Sequence, residues 1–201
     1  MIKTVIFDMG GVILRTIDPV PRERMAKRFG CSRKELEDFV FSSATSIQSE
    51  IGQLDDMQHW RVVLEHFNKT DLTPENAYYE YFAGDAIDQE LLSFIRTLKK
   101  DRKVGLLSNA WENARQRLGG LYEFIDVFDV AIFSSEVGMR KPEKGIFDLM
   151  LGKLDTKPQE TIFVDDFLEN IKGAEKAGLH TVHFIDNKDA VEQICHLLHK
   201  A

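Results

Sequence analysis

The strongest constraint on the fold is a series of short apolar segments that alternate with segments of helical periodicity from residue 88 onward. Short runs of apolar and β-branched residues are typical of strands that are buried on both faces in a parallel sheet. We predict strands at residues 2–7, 103–107, 130–133, 161–164 and 181–184. We predict helices around residues 91–98, 111–118, 146–154, 171–177 and 188–199. Because strands alternate with helices, the predicted fold class is α/β with a doubly wound parallel sheet.

Residues 18–84 have a different pattern, because their apolar side chains keep helical spacing and we find no convincing strand among them. Ser32 and Thr73 are predicted N-caps, and Thr73 is followed by Pro74 at the first helical position. We interpret this block as an α-helical insertion after the first strand. The predicted division is an α/β core of residues 1–16 and 86–201 and a helical domain of residues 17–85.

Composition and charge argue against several classes of protein. The chain has 201 residues and a formal net charge of −7, which argues against nucleic acid as a partner. No apolar run approaches the roughly 20 residues of a membrane span, and Asp8 interrupts the first apolar run too early for a signal peptide. The two cysteines, Cys31 and Cys195, fit a reducing compartment. We expect a cytoplasmic protein with no membrane or nucleic-acid partner, and the sequence indicates no oligomeric state.

Polar side chains follow the predicted strands at the points where the strands end. In an open parallel sheet, ligands bind beyond the carboxyl ends of the strands, so these side chains should meet at one edge. A single aspartate or serine at a strand end is more often a turn residue than a catalyst. Four such positions in successive strand–helix units indicate a site instead. The candidate residues are Asp8, Ser108, Asn109, Lys141, Asp165 and Asp166.

These residue types suit phosphoryl transfer. An aspartate such as Asp8 can attack phosphorus and form an aspartyl-phosphate, provided that other groups offset the negative charge of the phosphate. Mg²⁺ held by Asp8 and one of Asp165 and Asp166 would supply that positive charge. Lys141 would neutralise another part of the phosphoryl group, and the Ser108 hydroxyl would donate a hydrogen bond to it.

The motifs, in this order, resemble those of the haloacid dehalogenase-like (HAD) hydrolase superfamily over residues 2–185. They are Phe7-Asp8-Met9-Gly10-Gly11-Val12, Leu107-Ser108-Asn109, Gly138-Met139-Arg140-Lys141-Pro142-Glu143 and Val164-Asp165-Asp166, with Asn170 beyond the last. The resemblance implies a Rossmann-like core and makes residues 17–85 a helical cap over the active site. Within that cap, residues 50–54 resemble the loop that sets substrate choice, so Glu50 is a candidate substrate-binding residue.

The resemblance also implies a role for each residue of the phosphoryl site. Asp8 would be the nucleophile, and Ser108 and the Asn109 backbone would bind the phosphoryl group. Lys141 would hold both the phosphoryl group and Asp8.

For the metal, the resemblance implies Mg²⁺ bound by Asp8, by the Gly10 carbonyl and by the two acids after the fourth strand. Asp166 aligns best as the direct ligand and Asp165 as a ligand through water, and the two could exchange roles. Asn170 would support that loop.

Gly10 departs from the pattern of many phosphatases in this family, which carry a second aspartate two residues after the nucleophile. That aspartate protonates the leaving group, and such general acid catalysis contributes about 10²–10⁴-fold in rate. Without it we expect a preference for leaving groups that depart unaided, such as those of anomeric sugar phosphates or acyl phosphates. A branch that resembles sugar-1-phosphate phosphatases carries glycine here, so the resemblance suggests a sugar phosphate as substrate.

The leading hypothesis is therefore a Mg²⁺-dependent phosphatase that acts on a small phosphomonoester. One alternative is a catalytically weak or inactive phosphate-sensing protein, because Gly10 supplies no acid. Retention of Asp8, Lys141 and the acid pair argues against that alternative. A 2-haloacid dehalogenase also uses an aspartate nucleophile but needs no Mg²⁺, so the acid pair argues against this chemistry too.

Other polar and aromatic residues are expected to have structural roles. We expect Arg140, beside Lys141, to be solvated, and we expect Trp111, Tyr78 and Tyr79 to pack in the core rather than line the cleft. The six histidines show no metal-binding spacing and are expected at the surface or in the core.

Overall fold

A computed structural model describes residues 1–121 and 124–200 of the chain. The strands within these ranges are β1 (Thr4–Phe7), β2 (Leu14–Thr16), β3 (Asp85–Ile87), β4 (Lys103–Ser108), β5 (Val130–Phe133), β6 (Thr161–Asp165) and β7 (His180–His183). Five of them form one sheet with the order β5-β4-β1-β6-β7, and every neighbouring pair is parallel. The chain starts at the centre, winds to one edge and then returns to the other. This topology confirms the predicted doubly wound α/β class.

The helices lie between the strands and in the block that follows β2. Before β3 they are α1 (Val20–Phe29), α2 (Arg33–Ser42), α3 (Ala44–Glu50), α4 (Asp56–His66) and α5 (Pro74–Phe82). After β3 they are α6 (Gln89–Leu98), α7 (Ala114–Leu121), α8 (Ser134–Val137), α9 (Lys144–Leu154), α10 (Leu168–Lys176) and α11 (Asn187–Lys200). Helix α8 was not predicted, because four residues are too few to show helical periodicity. Helix α7 begins three residues later than predicted.

Helices cover both faces of the central sheet. Successive residues of a strand point to opposite faces, so β1 contributes to two apolar clusters. Phe7 packs in the cluster that contains Leu91 of α6 and Ile194 of α11. Ile6 packs in the cluster that contains Phe147 of α9. Burial on both sides explains why β1 has apolar residues at three successive positions, Val5, Ile6 and Phe7, rather than at every second one.

The block between β2 and β3 is helical, as predicted, and four of its helices, α1, α2, α4 and α5, contribute to a third apolar cluster around Trp60. The predicted N-caps are confirmed. The Ser32 side chain accepts a hydrogen bond from the Glu35 backbone, and Thr73 accepts one from Asn76. The division of the chain into a core and a cap at residues 17 and 85 stays a prediction.

His59 lies inside the helical block, within the core rather than at a metal site. Its Nδ1 lies 2.9 Å from the Thr45 hydroxyl oxygen and its Nε2 lies 2.9 Å from the Val40 carbonyl oxygen. Burial lowers the pKa of His59 to about 4, because the charged imidazolium would lose its hydration there. The folded protein therefore holds His59 neutral.

A small antiparallel sheet joins the two ends of the helical block. Strand β2 pairs with β3, with Leu14 opposite Ile87 and Thr16 opposite Asp85. Strand β3 was not predicted, because three residues carry too little periodicity and their partner lies about 70 positions away in the sequence. This sheet fixes both chain connections to the helical block beside the carboxyl end of β1.

Two further features bear on the class of protein. Among the described residues, no helix combines the length and the apolar character needed to cross a bilayer. Cys31 and Cys195 are both free thiols.

Candidate active site

The polar residues at the strand ends meet at the carboxyl edge of the sheet. Asp8 follows β1 directly, Ser108 is the last residue of β4, and Asp165 is the last residue of β6. Because β1 lies between β4 and β6 in parallel register, Asp165 lies level with Asp8, and Ser108 lies one residue further along the neighbouring strand. The convergence predicted from the sequence is therefore present.

Lys141 lies between two of the carboxylates. Its Nζ is 2.7 Å from an oxygen of Asp8 and 2.7 Å from an oxygen of Asp165, and only 1% of the residue is exposed. Burial by itself would lower the pKa of Lys141, but the two carboxylates outweigh it and raise that pKa. The lysine is thus held as an ammonium beside the candidate nucleophile.

Asp8 is buried among groups of both charges. Its Oδ1 accepts hydrogen bonds from the Met9 backbone N–H at 2.7 Å and from Lys141. Burial raises the pKa of Asp8, Lys141 opposes this, and the nearby carboxylates of Asp165 and Asp166 raise it further. Positive charge brought to this site would favour the ionised, nucleophilic form.

Asp165 is fully buried, and hydrogen-bond donors occupy both of its oxygens. Oδ1 accepts from the Phe167 backbone N–H at 2.8 Å and Oδ2 accepts from Lys141. The Asn170 side-chain amide donates to both oxygens at 3.1 Å. Asn170 therefore restrains the orientation of the Asp165 carboxylate.

Asp166 is arranged differently. Its Oδ1 is buried and has no hydrogen-bond partner among the described residues, although a buried carboxylate oxygen normally has one. Burial, followed by the charge of Asp165, raises the pKa of Asp166 to about 6. The carboxylate lies directly over Gly11, where an added Cβ would be 2.2 Å from Oδ2. Its backbone carbonyl oxygen lies 3.0 Å from Nε2 of His183, a contact that the sequence did not suggest.

The three carboxylates can hold a divalent metal. One oxygen from each of Asp8, Asp165 and Asp166 lies within 4.8 Å of the others. Together with the Lys141 ammonium, the three ionised carboxylates leave a formal charge of −2. Hard divalent cations such as Mg²⁺ prefer oxygen ligands of this kind. The oxygen of Asp166 that lacks a partner and the excess negative charge both fit such an ion.

The Asn109 side chain has a role that the sequence analysis missed. Its amide nitrogen donates to the Lys141 carbonyl at 2.9 Å, and its amide oxygen accepts from the Lys141 backbone N–H at 2.8 Å. This two-point contact fixes the backbone that carries the lysine. Ser108 is buried beside it, and within the described part of the chain its hydroxyl makes only a long 3.4 Å contact with the Asn109 carbonyl. The weak contact leaves the Ser108 hydroxyl able to turn towards a ligand.

Arg140 is not the solvated arginine that was expected. Its Nε donates to a carboxylate oxygen of Glu50 at 2.7 Å, and both side chains are largely buried. Burial raises the pKa of Glu50, while Arg140 opposes that effect. The expectation failed because a partner 90 positions away in the sequence leaves no local signal. Glu50, a predicted substrate-binding residue, contacts the segment that precedes Lys141.

Two further contacts link the helical block to the segment after β4, one through the loop and one through α7. Trp111 packs in the apolar cluster of the helical block, and its indole N–H donates to the Ser46 hydroxyl at 3.0 Å. Arg117 donates to the buried Asp56 carboxylate at 2.7 Å. Trp111 therefore packs in a core, as expected, but in the core of the helical block.

The two tyrosines differ in their environments. Tyr78 is partly buried beside this cluster, whereas Tyr79 is 46% exposed, so the expectation of core packing is wrong for Tyr79. Its hydroxyl oxygen accepts a hydrogen bond from Arg117.

Comparison with known proteins places the chain among hydrolases. A family model for haloacid dehalogenase-like hydrolases matches residues 2–178. The sesquiterpene phosphatase of Aspergillus oryzae is 28% identical over 204 aligned positions, which cover 92% of this chain and 91% of that protein. A protein described as a predicted HAD-like family hydrolase, from Porphyromonas gingivalis, superimposes with a TM-score of 0.79 at 26% identity over 98% of each chain. A HAD family enzyme from Bacteroides thetaiotaomicron, solved with magnesium and inorganic phosphate, shares the fold with a TM-score of 0.78 at 22% identity, over 96% of this chain and 99% of that one.

Proposed function

The chain belongs to the haloacid dehalogenase-like hydrolase family, and we propose that it is a Mg²⁺-dependent phosphatase that forms a phosphoryl intermediate on Asp8. The observation that carries this proposal is the buried cluster of Asp8, Lys141, Asp165 and Asp166 at the carboxyl edge of the sheet. A largely buried cluster with one ammonium and three carboxylates is costly to form unless it binds a positive ion that offsets the excess negative charge. The substrate is a small phosphomonoester, and the setting is the cytoplasm.

The contacts of Asp8 indicate which oxygen attacks. Oδ1 is held by the Met9 N–H and by Lys141, so Oδ2 is the oxygen available to the substrate. In the first step Oδ2 bonds to phosphorus while the ester oxygen leaves with the electrons of the broken P–O bond. In the second step water bonds to phosphorus, the P–Oδ2 bond breaks and Asp8 is regenerated with inorganic phosphate. Lys141 and the Ser108 hydroxyl stabilise the equatorial phosphoryl oxygens in both steps.

Asp8, Asp166 and the Gly10 carbonyl would hold Mg²⁺, with Asp165 as a ligand through water. The unpartnered oxygen of Asp166 and the fully hydrogen-bonded oxygens of Asp165 support this order of roles. The bound ion supplies positive charge that offsets both the carboxylates and the incoming phosphate. Asn170 keeps Asp165 in place for this purpose.

Gly10 gives the proposed reaction its preference for leaving groups. Glycine has no side chain that could protonate the departing oxygen, so esters whose leaving group departs unaided should react faster. A Cβ added at Gly10 meets no atom within 4 Å, so Gly10→Asp is sterically allowed. We expect this variant to raise the rate on an alkyl phosphate by about 10²-fold or more and to change the rate on acetyl phosphate far less. Equal effects on the two substrates would contradict this account of Gly10.

Phosphate release tests the function itself. We would assay acetyl phosphate, phenyl phosphate, sugar 1-phosphates and sugar 6-phosphates with and without Mg²⁺. Asp8→Asn should lower the rate by on the order of 10⁴-fold or more, because it removes the nucleophile and keeps the shape. Asp38→Asn is the matched control, since Asp38 is an exposed aspartate whose described partner is Lys34 on the same helix.

The other outcomes of this assay identify the alternatives. Mg²⁺ binding without release from any ester would indicate a phosphate-sensing protein. Halide release from a 2-haloacid without Mg²⁺ would indicate a dehalogenase.

A further inference from the structure

A groove of about 550 Å³ opens beside the carboxylate cluster. It is lined by Ser42, Asp166, Phe167, Leu168, Glu169 and His183, and we call it the β6 groove. One wall comes from the end of α2 in the helical block, and the other comes from the loop after β6. Since Asp166 belongs to both the groove and the carboxylate cluster, a group bound in the groove would adjoin the phosphoryl site.

The apolar side chains of the β6 groove are unusually exposed for their type. Phe167 is 61% exposed and Leu168 is 53% exposed. They are adjacent in sequence, and both line the β6 groove. Covering exposed apolar surface of this kind with a ligand lowers the free energy, because it removes that surface from water.

Phe167 also occupies a position where phenylalanine is locally unfavourable. It is the N-cap residue of α10, and its side chain makes no capping hydrogen bond. Serine, threonine, asparagine or aspartate would cap this helix and stabilise it. Phe167 therefore forgoes a cap while exposing an aromatic ring, and local conflicts of this kind are expected at functional sites.

Of the four polar residues that line the groove, His183 and Asp166 are oriented by contacts within the protein, whereas Ser42 and Glu169 are exposed. Nε2 of His183 contacts the Asp166 carbonyl oxygen at 3.0 Å, and the Asp166 carboxylate faces the metal cluster. Phe167 and Leu168 supply the apolar part of the lining that a ligand in the groove would cover. Because the groove adjoins Asp166, that ligand is the part of the substrate attached to the phosphoryl group.

We propose that the β6 groove binds an apolar leaving group, so that the preferred substrates are phosphomonoesters of hydrophobic alcohols or phenols. This inference rests on the proposed phosphatase function and names its substrate class. It differs from the sugar phosphate that the resemblance at Gly10 suggests, and it rests on Phe167 and Leu168 in the groove beside the carboxylate cluster. Phenols satisfy both features, since they are apolar and depart without a general acid.

A series of 4-alkylphenyl phosphates separates binding in the groove from chemistry. Phenyl, 4-methyl-, 4-ethyl-, 4-propyl- and 4-butylphenyl phosphate release phenols of nearly equal acidity, so only the apolar surface grows along the series. We expect kcat/KM to rise by about twofold to fourfold for each methylene in the wild-type protein. A phenyl phosphate with a 4-hydroxymethyl group, compared with the 4-ethyl compound, should lose this gain.

The variants test whether Phe167 and Leu168 carry the trend. The pair Phe167→Ser and Leu168→Gln removes the apolar wall, and we expect the dependence of kcat/KM on chain length to disappear. Phe167→Leu with Leu168→Met keeps an apolar wall and should keep the dependence. Ile47→Gln is the matched control, because Ile47 is a 37% exposed apolar residue outside the groove. Phe167→Ser alone should raise Tm by about 2–4 °C by capping α10, while it weakens the chain-length dependence.

Several outcomes would overturn the proposal. Release of phosphate with no chain-length dependence refutes the apolar leaving group while leaving the phosphatase function intact. An equal dependence in the serine–glutamine variant shows that the groove does not bind the chain. No release from phenyl phosphate or acetyl phosphate refutes the phosphatase function and this inference with it. A wild-type dimer that dissociates in the serine–glutamine variant, measured by sedimentation, would assign these side chains to a protein interface instead.

Discussion

Gly11 offers a sharp test of the proposed metal site, because replacing it with alanine perturbs the proposed ligand Asp166 without removing any charged or polar group. Gly11 has a φ of +78°, and an added Cβ would lie 2.2 Å from Oδ2, 2.6 Å from Cγ and 2.9 Å from Oδ1 of Asp166. Contacts this short force the carboxylate to turn away. We therefore expect Gly11→Ala to displace Asp166 from the position in which it faces Asp8.

The expected magnitude has two parts. A left-handed backbone conformation costs an alanine about 1–2 kcal/mol of stability relative to glycine. Displacing Asp166 should lower the affinity for Mg²⁺ by about 10–100-fold, which is the range seen when the groups that position a metal ligand are altered. Because the carboxylate sits at the end of a short side chain that can rotate, the clash should appear mainly as lost metal affinity.

Gly30 provides a matched control for the backbone part. It ends α1 with a φ of +76°, and an added Cβ there meets no atom within 4 Å. Gly30→Ala should therefore lower the free energy of unfolding by the same amount, about 1–2 kcal/mol, without changing the affinity for Mg²⁺. Gly10→Ala, also in open space, should be sterically neutral.

The assay is a Mg²⁺ titration of phosphate release, together with urea denaturation of each variant. We expect the Mg²⁺ concentration at half-maximal rate to rise for Gly11→Ala and to stay at the wild-type value for Gly30→Ala. The reasoning fails if both variants lose similar stability and keep the same Mg²⁺ dependence. In that case the Asp166 carboxylate would not be a metal ligand in the position described.

Three further predictions concern the contacts around the site. Alanine substitutions of Glu50 and Arg140, made singly and together, should show a coupling free energy of about 1–2 kcal/mol in kcat/KM. The reason is that each substitution removes the same partly buried charged hydrogen bond. Additive losses in kcat/KM would show that Glu50 contacts the substrate instead. Asn109→Ala should cost about 1–3 kcal/mol of stability and lower kcat more than it changes KM, since both hydrogen bonds to the Lys141 backbone are lost; wild-type kcat would contradict this. His59 has a folded pKa of about 4 against an ordinary value of 6.5, so its contribution is fully present above pH 6.5. About 3 kcal/mol of it is lost as pH falls towards 4, and denaturation of His59→Gln should show a shallower loss over that window, whereas identical pH profiles would rule this out.

The sequence determined the sheet because its signal is local. Apolar runs and helical periodicity reveal whether a segment is buried on both faces or on one, and chain order then limits a parallel sheet to few topologies. The helical character of residues 18–84 and the N-caps at Ser32 and Thr73 followed from the same kind of information. The meeting of Asp8, Ser108 and Asp165 followed as well, because the carboxyl ends of parallel strands share one edge.

The tertiary structure decided the contacts between distant segments. The Glu50–Arg140 pair joins residues 90 positions apart, and the Asp56–Arg117 pair joins residues 61 positions apart. Strand β3 pairs with β2, from which the whole helical block separates it in the sequence. The different states of the two adjacent acids were decided in the same way. The carboxylate of Asp165 accepts hydrogen bonds from Lys141 and Asn170, whereas Oδ1 of Asp166 has no hydrogen-bond partner among the described residues. Periodicity indicates how one segment is buried. A hydrogen bond between two polar groups depends on where folding places the second group, and the residues next to the first group carry no information about that position.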